Sequence, residues 1–371
     1  MKKRKILIVY SSGGGGLKHL AENLSRGFAK LYGKSIAVET VDPFAETKGV
    51  GELLFNKIYN FFLYHNLLVN SLLVDFSYAT RPDRLPFVKW EAHRSLERKL
   101  QSADLVVSTS PWVLEGVFYS LEKTKRQVPV FVYIADFGEG MYSGWCHRKA
   151  SSYFTVTDEA KSILLKLGAK PESIEVLGIP AKSPAKKSKV GHSGLKRILV
   201  ASSMHGSGEI PRILDSINAL QGKFDIDVLC GTGRNLLQKI SRSTTGASKK
   251  SVQAHGFVSE EKVILLTNAA DVLVTKAGAL SIGKAVAAST PMILIGYPAV
   301  MPQEKGNAAF VVSRNIGWLC KSRNEIAGTI GRLASDPSLL SEKRKSIGSL
   351  RSFTDTKRIC RAIMRRAGFT S

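Results

Sequence analysis

The stretch from Ala270 to Asn307 constrains the chain most. Ala270 to Thr275 is a short apolar run rich in Val and Leu, the pattern of a strand buried on both faces of a parallel sheet. Lys276, Ala277 and Gly278 make a small-residue turn, Leu280 to Ala288 reads as a helix, and Pro291 to Ile295 reads as the next strand. Strand, glycine turn and helix in that order leave backbone N–H groups beside the positive end of a helix dipole, where phosphate oxygens bind. Ser281 adds a hydroxyl in the first helical turn, and the loop after the second strand carries Gln303, Glu304 and Asn307. Open α/β sheets hold their ligands at the carboxyl ends of strands. A phosphate cradle with polar side chains beside it suits a nucleotide-sugar, with phosphates on the helix and sugar hydroxyls on Gln303 and Glu304. Taken alone, the turn is also an ordinary feature of doubly wound sheets.

The start of the chain repeats the pattern. Lys5 to Tyr10 reads as a strand, Ser11 to Gly16 as a glycine-rich turn, and Leu17 to Tyr32 as a helix. The spacing is not that of dinucleotide binders, because Lys18 stands at the final glycine position when counting from Gly13. Leu105 to Thr109 and Val128 to Ile134 read as further parallel strands, the second followed by Asp136. After Pro180 comes the one composition break, a Lys, Pro, Ser and Gly stretch with few apolar residues. Arg197 to Ala201 opens a second series of strands and glycine turns, with Ser203 and His205 in its first loop. A chain of 371 residues is long enough for two cores. The reading is an α/β chain with domains at 1–181 and 197–340, a basic linker at 182–196 and a basic C-terminal stretch at 341–371.

Gly256-Phe257, Ala270-Asp271, Lys276 to Ser281 and Pro302 to Asn307, in this order and spacing, resemble the processive diacylglycerol glycosyltransferases and the plant-type monogalactosyldiacylglycerol synthases. These are relatives of the peptidoglycan N-acetylglucosaminyltransferase that makes lipid II. The resemblance implies a GT-B fold, two Rossmann-like doubly wound domains facing across a cleft, with the last helix crossing back to the first domain. It implies inverting transfer of a hexose from a UDP-sugar donor to a lipid acceptor, with no metal and no other cofactor. Its donor-binding positions fall on Ser203, Phe257, Lys276, Gly278, Leu280, Ser281, Gln303, Glu304 and Asn307. Its acceptor loop falls on Gly14, Gly15 and Gly16. The family's catalytic histidine follows those glycines; here that place holds Gly16 or Leu17, and the nearest candidate is His19, which otherwise reads as a surface helix histidine. Asp136 matches the family's Thr-Asp-Phe element and is the expected assistant, with a turn cap as the plainer reading; His147 is the second-choice base. Ser110 replaces a family histidine. In the helix after Gly278 the family carries an acid that bonds the ribose hydroxyls, and this chain has Lys284. A lysine only donates, so ribose is held differently, or Lys284 meets phosphate, or donor binding is weakened.

Lys and Arg number 54 against 30 Asp and Glu, a net charge of +24, which argues for a polyanionic partner. Nucleic acid is disfavoured, since no helix-turn-helix, zinc-finger or RNA-recognition signature is present. Leu53 to Phe76 mixes aliphatic and aromatic residues with Asn and His, and Arg81, Arg84, Lys89, Arg94 and Arg98 follow with Phe87 and Trp90 interleaved. This reads either as a core helix followed by a solvated basic helix, or as a surface seated on anionic lipid. Cys146, Cys230, Cys320 and Cys360 are scattered, which fits a reducing compartment, and no apolar run reaches the ~18–20 residues of a spanning helix. The expectation is a cytoplasmic protein, peripheral on the inner face of the cell membrane, using UDP-glucose or UDP-galactose and a diacylglycerol hydroxyl. A polyprenyl-linked acceptor and a catalytically weakened lipid- or nucleotide-binding homologue stay open beside it.

Overall fold

Strands this short and this apolar are stable only when both faces of their sheet are covered, and every strand pairing in the computed structural model is parallel. The structure describes residues 3–13, 15–65, 67–184, 194–201, 209–243, 251–298 and 300–369. They divide into two units: Met1–Pro180 with Met301–Gly306 and Asp355–Ser371, and Ala181–Val300 with Asn307–Thr354.

The first unit is built on β1 (Arg4–Val9), β2 (Ile36–Val41), β3 (Leu105–Ser108), β4 (Val130–Tyr133), β5 (Ser152–Thr155) and β6 (Ile174–Val176), in the order β2-β1-β3-β4-β5-β6. The order reverses between β1 and β3, so the crevice for a ligand opens at their carboxyl ends. Val9 pairs with Ser108 there, and the next residues meet where Ser11 and Ser110 share a hydrogen bond of 2.8 Å between buried hydroxyls. Ile6 to Val9 are fully buried, as are Val106, Val107 and Val132, which is why these strands carry no polar face. The helix Gly16–Tyr32 turns Leu20, Leu24 and Phe28 inward. The helix Thr356–Arg366 lies against it so closely that a Cβ on Gly27 would stand 2.6 Å from Cys360 Sγ. Asp355 caps that last helix by accepting from the Lys357 and Arg358 amides. The basic stretch read as one piece from 341 is two helices: Ser338–Gly348 belongs to the second unit, Thr356–Arg366 to the first.

The second unit is built on β7 (Arg197–Ala201), β8 (Asp225–Leu229), β9 (Ser251–His255), β10 (Val272–Thr275), β11 (Met292–Ile295) and β12 (Gly317–Cys320), in the order β12-β11-β10-β7-β8-β9. Counted within the unit this is the dinucleotide-fold order, and its reversal lies between β7 and β10. Ala201 pairs with Thr275 at that point, so the turn after β10 sits at the switch. Asp271, 3% exposed, anchors the two strands from below by accepting from the Lys196 and Arg197 amides, 2.9 Å each, and from Arg344. Of the linker, 185–193 falls outside the described residues, as does the loop 202–208.

Between β2 and β3 the chain makes a segment the sequence reading left in two forms. Glu52–Ile58 is a π-helix, followed by the helices Tyr59–His65 and Leu67–Thr80 and, after a turn, Pro86–Gln101. In Leu67–Thr80 the inward face is Asn70, Val74 and Tyr78, with Tyr78 stacked on Tyr142 at 4.6 Å between ring centres. The outward face carries Leu68, Leu72 and Phe76, with Leu72 69% and Phe76 65% exposed. One face therefore packs inward, and the other presents apolar side chains outward.

Candidate functional site

Asp136 lies three residues past the end of β4. The indole N–H of the buried Trp145, held in the short turn Ser143–Trp145, donates to its Oδ2 at 2.6 Å. Loss of water raises the Asp136 pKa, the Trp145 bond lowers it and the Glu304 charge raises it again; the result is about 7. Glu304 arrives on the segment Met301–Gly306, which the sequence reading placed with the second domain. It clusters instead with the first unit, because the Gly306 N–H donates to Glu139 O at 2.9 Å and Gly140 makes room for it. Gly140 has φ 80°, and a Cβ there would stand 1.7 Å from Pro302 O. Gln303 Nε2 in turn donates to Tyr59 OH at 3.1 Å. The buried amide oxygens of Asn56, Asn70 and Gln303 have no hydrogen-bond partner among the described residues. A buried acceptor of that kind calls for an O–H or N–H donor.

The glycine turn after β1 belongs to the same unit. Ser12 donates to Asp42 at 2.6 Å, and Gly13 lies so near the π-helix that a Cβ would be 2.4 Å from Phe55 O. Gly14 lies outside the described residues. Gly15 takes a left-handed φ of 77°, and the position of a Cβ on Gly16 is open space. His19 follows in the first turn of the helix, 3.0 Å from Nδ1 to Glu22 Oε2, with both side chains a little over a third exposed. An ionised carboxylate only accepts, so the Nδ1 carries the proton and Nε2 is left to take another. His147 is differently placed: its ring stacks on Phe118 at 3.9 Å, its Nδ1 accepts from the Lys149 amide at 3.2 Å, and burial lowers its pKa.

In the second unit, β10 leads through Lys276, Ala277 and Gly278 into the helix Ala279–Ala288. Gly278 is the residue at its N-terminus, with φ −71° and ψ 130° and no side-chain cap, so the helix entry is made of backbone alone. Ser281 is half-buried in the first turn and Leu280 is buried. Asn307, 3% exposed, donates from Nδ2 to Ala277 O at 2.8 Å; that amide nitrogen braces the turn. Phe257 is 69% exposed in the loop after β9, and Ser203 and His205 lie outside the described residues. Lys284 Nζ stands 3.7 Å from Glu260 Oε1, the side chains 17% and 11% exposed. The sequence reading missed Glu22, Tyr59, Glu260 and the Trp145 bond. Only Glu22 had a readable signal, its i+3 spacing from His19 on a helix.

The monogalactosyldiacylglycerol synthase profile matches residues 18–181, and the glycosyltransferase family 28 C-terminal domain matches residues 206–353. The first unit thus matches a monogalactosyldiacylglycerol synthase domain and the second a glycosyltransferase family 28 C-terminal domain, in a GT-B fold. Among its relatives is a processive diacylglycerol β-glucosyltransferase of Bacillus licheniformis, 26% identical over 262 residues, which are 68% of this chain and 66% of that one. The chloroplastic monogalactosyldiacylglycerol synthase of Spinacia oleracea is 25% identical over 357 residues, 89% of this chain and 66% of the synthase. The chain thus spans just under two thirds of the length of these relatives, and 90% of a Bacillus cereus processive diacylglycerol β-glucosyltransferase that it matches at 23% identity over 94% of itself. Among solved structures, MurG of Acinetobacter baumannii superposes with a TM-score of 0.66 at 13% identity, covering 98% of this chain and 99% of MurG. HepE of Anabaena, solved with UDP and glucose, gives 0.57 at 16% identity, covering 99% and 100%. These likenesses show the GT-B fold.

Proposed function

We propose that the chain transfers a hexose, glucose or galactose, from its UDP-sugar to the free hydroxyl of diacylglycerol, with inversion at the sugar. The observation that carries this reading is the bare helix entry at Gly278, at the switch point of the second sheet, where backbone N–H groups and the helix dipole suit a diphosphate. Lys276 and the Ser281 hydroxyl add donors at the same turn. Gln303, with its buried oxygen, and Glu304 accept bonds from sugar hydroxyls. His19 Nε2 takes the proton of the acceptor hydroxyl as its oxygen bonds to the anomeric carbon. The bond from that carbon to the diphosphate oxygen breaks, and UDP leaves with the electron pair. Glu22 stabilises the imidazolium so formed, and Asp136 holds the acceptor hydroxyl in line. The relatives named above are a diacylglycerol β-glucosyltransferase and a monogalactosyldiacylglycerol synthase, which supports the acceptor.

The acceptor lives in a membrane, and the first unit has a face suited to reach it. Leu68, Leu72 and Phe76 form one exposed stripe, and Trp90, 52% exposed, lies under the Arg94 guanidinium at 5.0 Å. Rings at headgroup level beside cations are what an interfacial site requires. This supports a peripheral protein on anionic lipid at the cytoplasmic face. The test is label transfer from UDP-glucose or UDP-galactose to diacylglycerol in phosphatidylglycerol vesicles. A labelled glycolipid is expected; label found only on a polyprenyl phosphate overturns the acceptor, and UDP binding without transfer to any lipid overturns the enzyme reading.

A further inference from the structure

Lys284 is the residue the proposed reaction leaves without a task. It stands three positions beyond Ser281, so the two share a face of the helix Ala279–Ala288, ~4.5 Å apart along the axis. A nucleoside diphosphate with its phosphates at the first turn has its ribose at about that distance. A ribose diol offers two O–H donors and needs an acceptor, which an ammonium is not. The structure brings one there from another element. Glu260 begins the helix Glu260–Ala269, which follows the loop of the exposed Phe257, and its carboxylate reaches Lys284 at 3.7 Å with 11% of the side chain exposed. Both helices start at the carboxyl ends of parallel strands, β9 and β10, on the side of the sheet where the turn opens. A carboxylate has two oxygens, each able to accept from more than one donor.

We infer that Glu260 is the ribose-recognising residue of this chain and that Lys284 positions it, the acid and its neighbour having exchanged helices relative to the family pattern. The inference rests on the nucleotide-sugar reading and deepens it. Calorimetric binding of UDP and of 2′,3′-dideoxy-UDP to the full chain tests it. The wild type binds UDP at least tenfold more tightly than the dideoxy nucleotide. Glu260→Gln brings that ratio close to one by weakening UDP alone, and Lys284→Met lowers it in part. The double exchange Glu260→Lys with Lys284→Glu, which keeps the pair and so the packing, restores it. A ratio in Glu260→Gln equal to that of the wild type overturns the inference and leaves the nucleotide reading standing, and so does equal weakening of both nucleotides. A wild type that binds neither nucleotide overturns the nucleotide reading, and this inference with it.

Discussion

Burial moves the Asp136 carboxyl far from its free form. A carboxyl with pKa about 7 is half ionised near neutrality, and the ionised form is the stronger acceptor of a bond from an acceptor hydroxyl. Activity is therefore expected to rise with pH across about 6 to 8, and Asp136→Asn to remove that limb along with most of the rate; a pH–kcat/KM profile of both proteins decides it. Stability runs the other way. The folded pKa lies above the ordinary value of 3.8, so the folded state binds the proton more tightly and its stability falls as pH rises from about 4 to about 7. Asp136→Asn has no proton to lose, so its Tm should gain on the wild type's above pH 7 in a thermal melt series. At His19 the imidazole matters for turnover and Glu22 for its tautomer. His19→Gln should lower kcat by roughly 10²–10⁴ with UDP affinity unchanged. Glu22→Gln should lower it less, since the imidazole loses the acceptor that fixes its tautomer. Turnover equal to the wild type's removes Glu22 from the mechanism.

At the scale of elements, the sequence made the strands and glycine turns legible and left the helices after β2 ambiguous, for one physical reason. A strand buried on both faces has a single apolar signature, and β1, β3, β4, β7 and β10 all carry it. The helix Leu67–Thr80 is apolar on both faces, so periodicity cannot say which one packs. The placement of Gln303 and Glu304 was hidden differently. The contacts of their segment, Met301–Gly306, are with Tyr59 and the loop at Glu139 and Gly140, more than a hundred and sixty positions away, and no local pattern records a long-range contact. The two-faced helix yields its own prediction. Leu72→Ser and Phe76→Ser change side chains that are mostly in water already, so Tm should move by what surface substitutions move it, within about 0.5 kcal/mol. Val74→Ser, at 5% exposure on the opposite face, should destabilise by about 1–3 kcal/mol. Vesicle flotation should reverse that ranking, with Leu72→Ser and Phe76→Ser released from lipid and any folded Val74→Ser still bound. Equal flotation of all three variants removes the stripe as a lipid contact.

For the whole molecule, the excess of 54 basic over 30 acidic side chains is a long-range attraction, whereas the stripe Leu68, Leu72 and Phe76 acts only at contact. Exposed cations lie on both outer helices of the first unit, Arg94 and Arg98 on Pro86–Gln101, Arg361 and Arg365 on Thr356–Arg366. The two forces separate by salt, because the screening length falls from about 10 Å at 0.1 M to about 3 Å at 1 M while apolar burial is not weakened. On phosphatidylglycerol vesicles, binding should fall by more than tenfold between 0.05 and 0.5 M NaCl and then level off. On phosphatidylcholine vesicles it should be weak and nearly independent of salt. Leu72→Ser with Phe76→Ser should remove the plateau and leave the steep part unchanged. The same charge will also draw nucleic acid, but without a contact term that binding has no plateau, so an oligonucleotide titration in the same series tells the partners apart. A salt-resistant plateau on nucleic acid and none on lipid would assign the charge to the wrong polyanion.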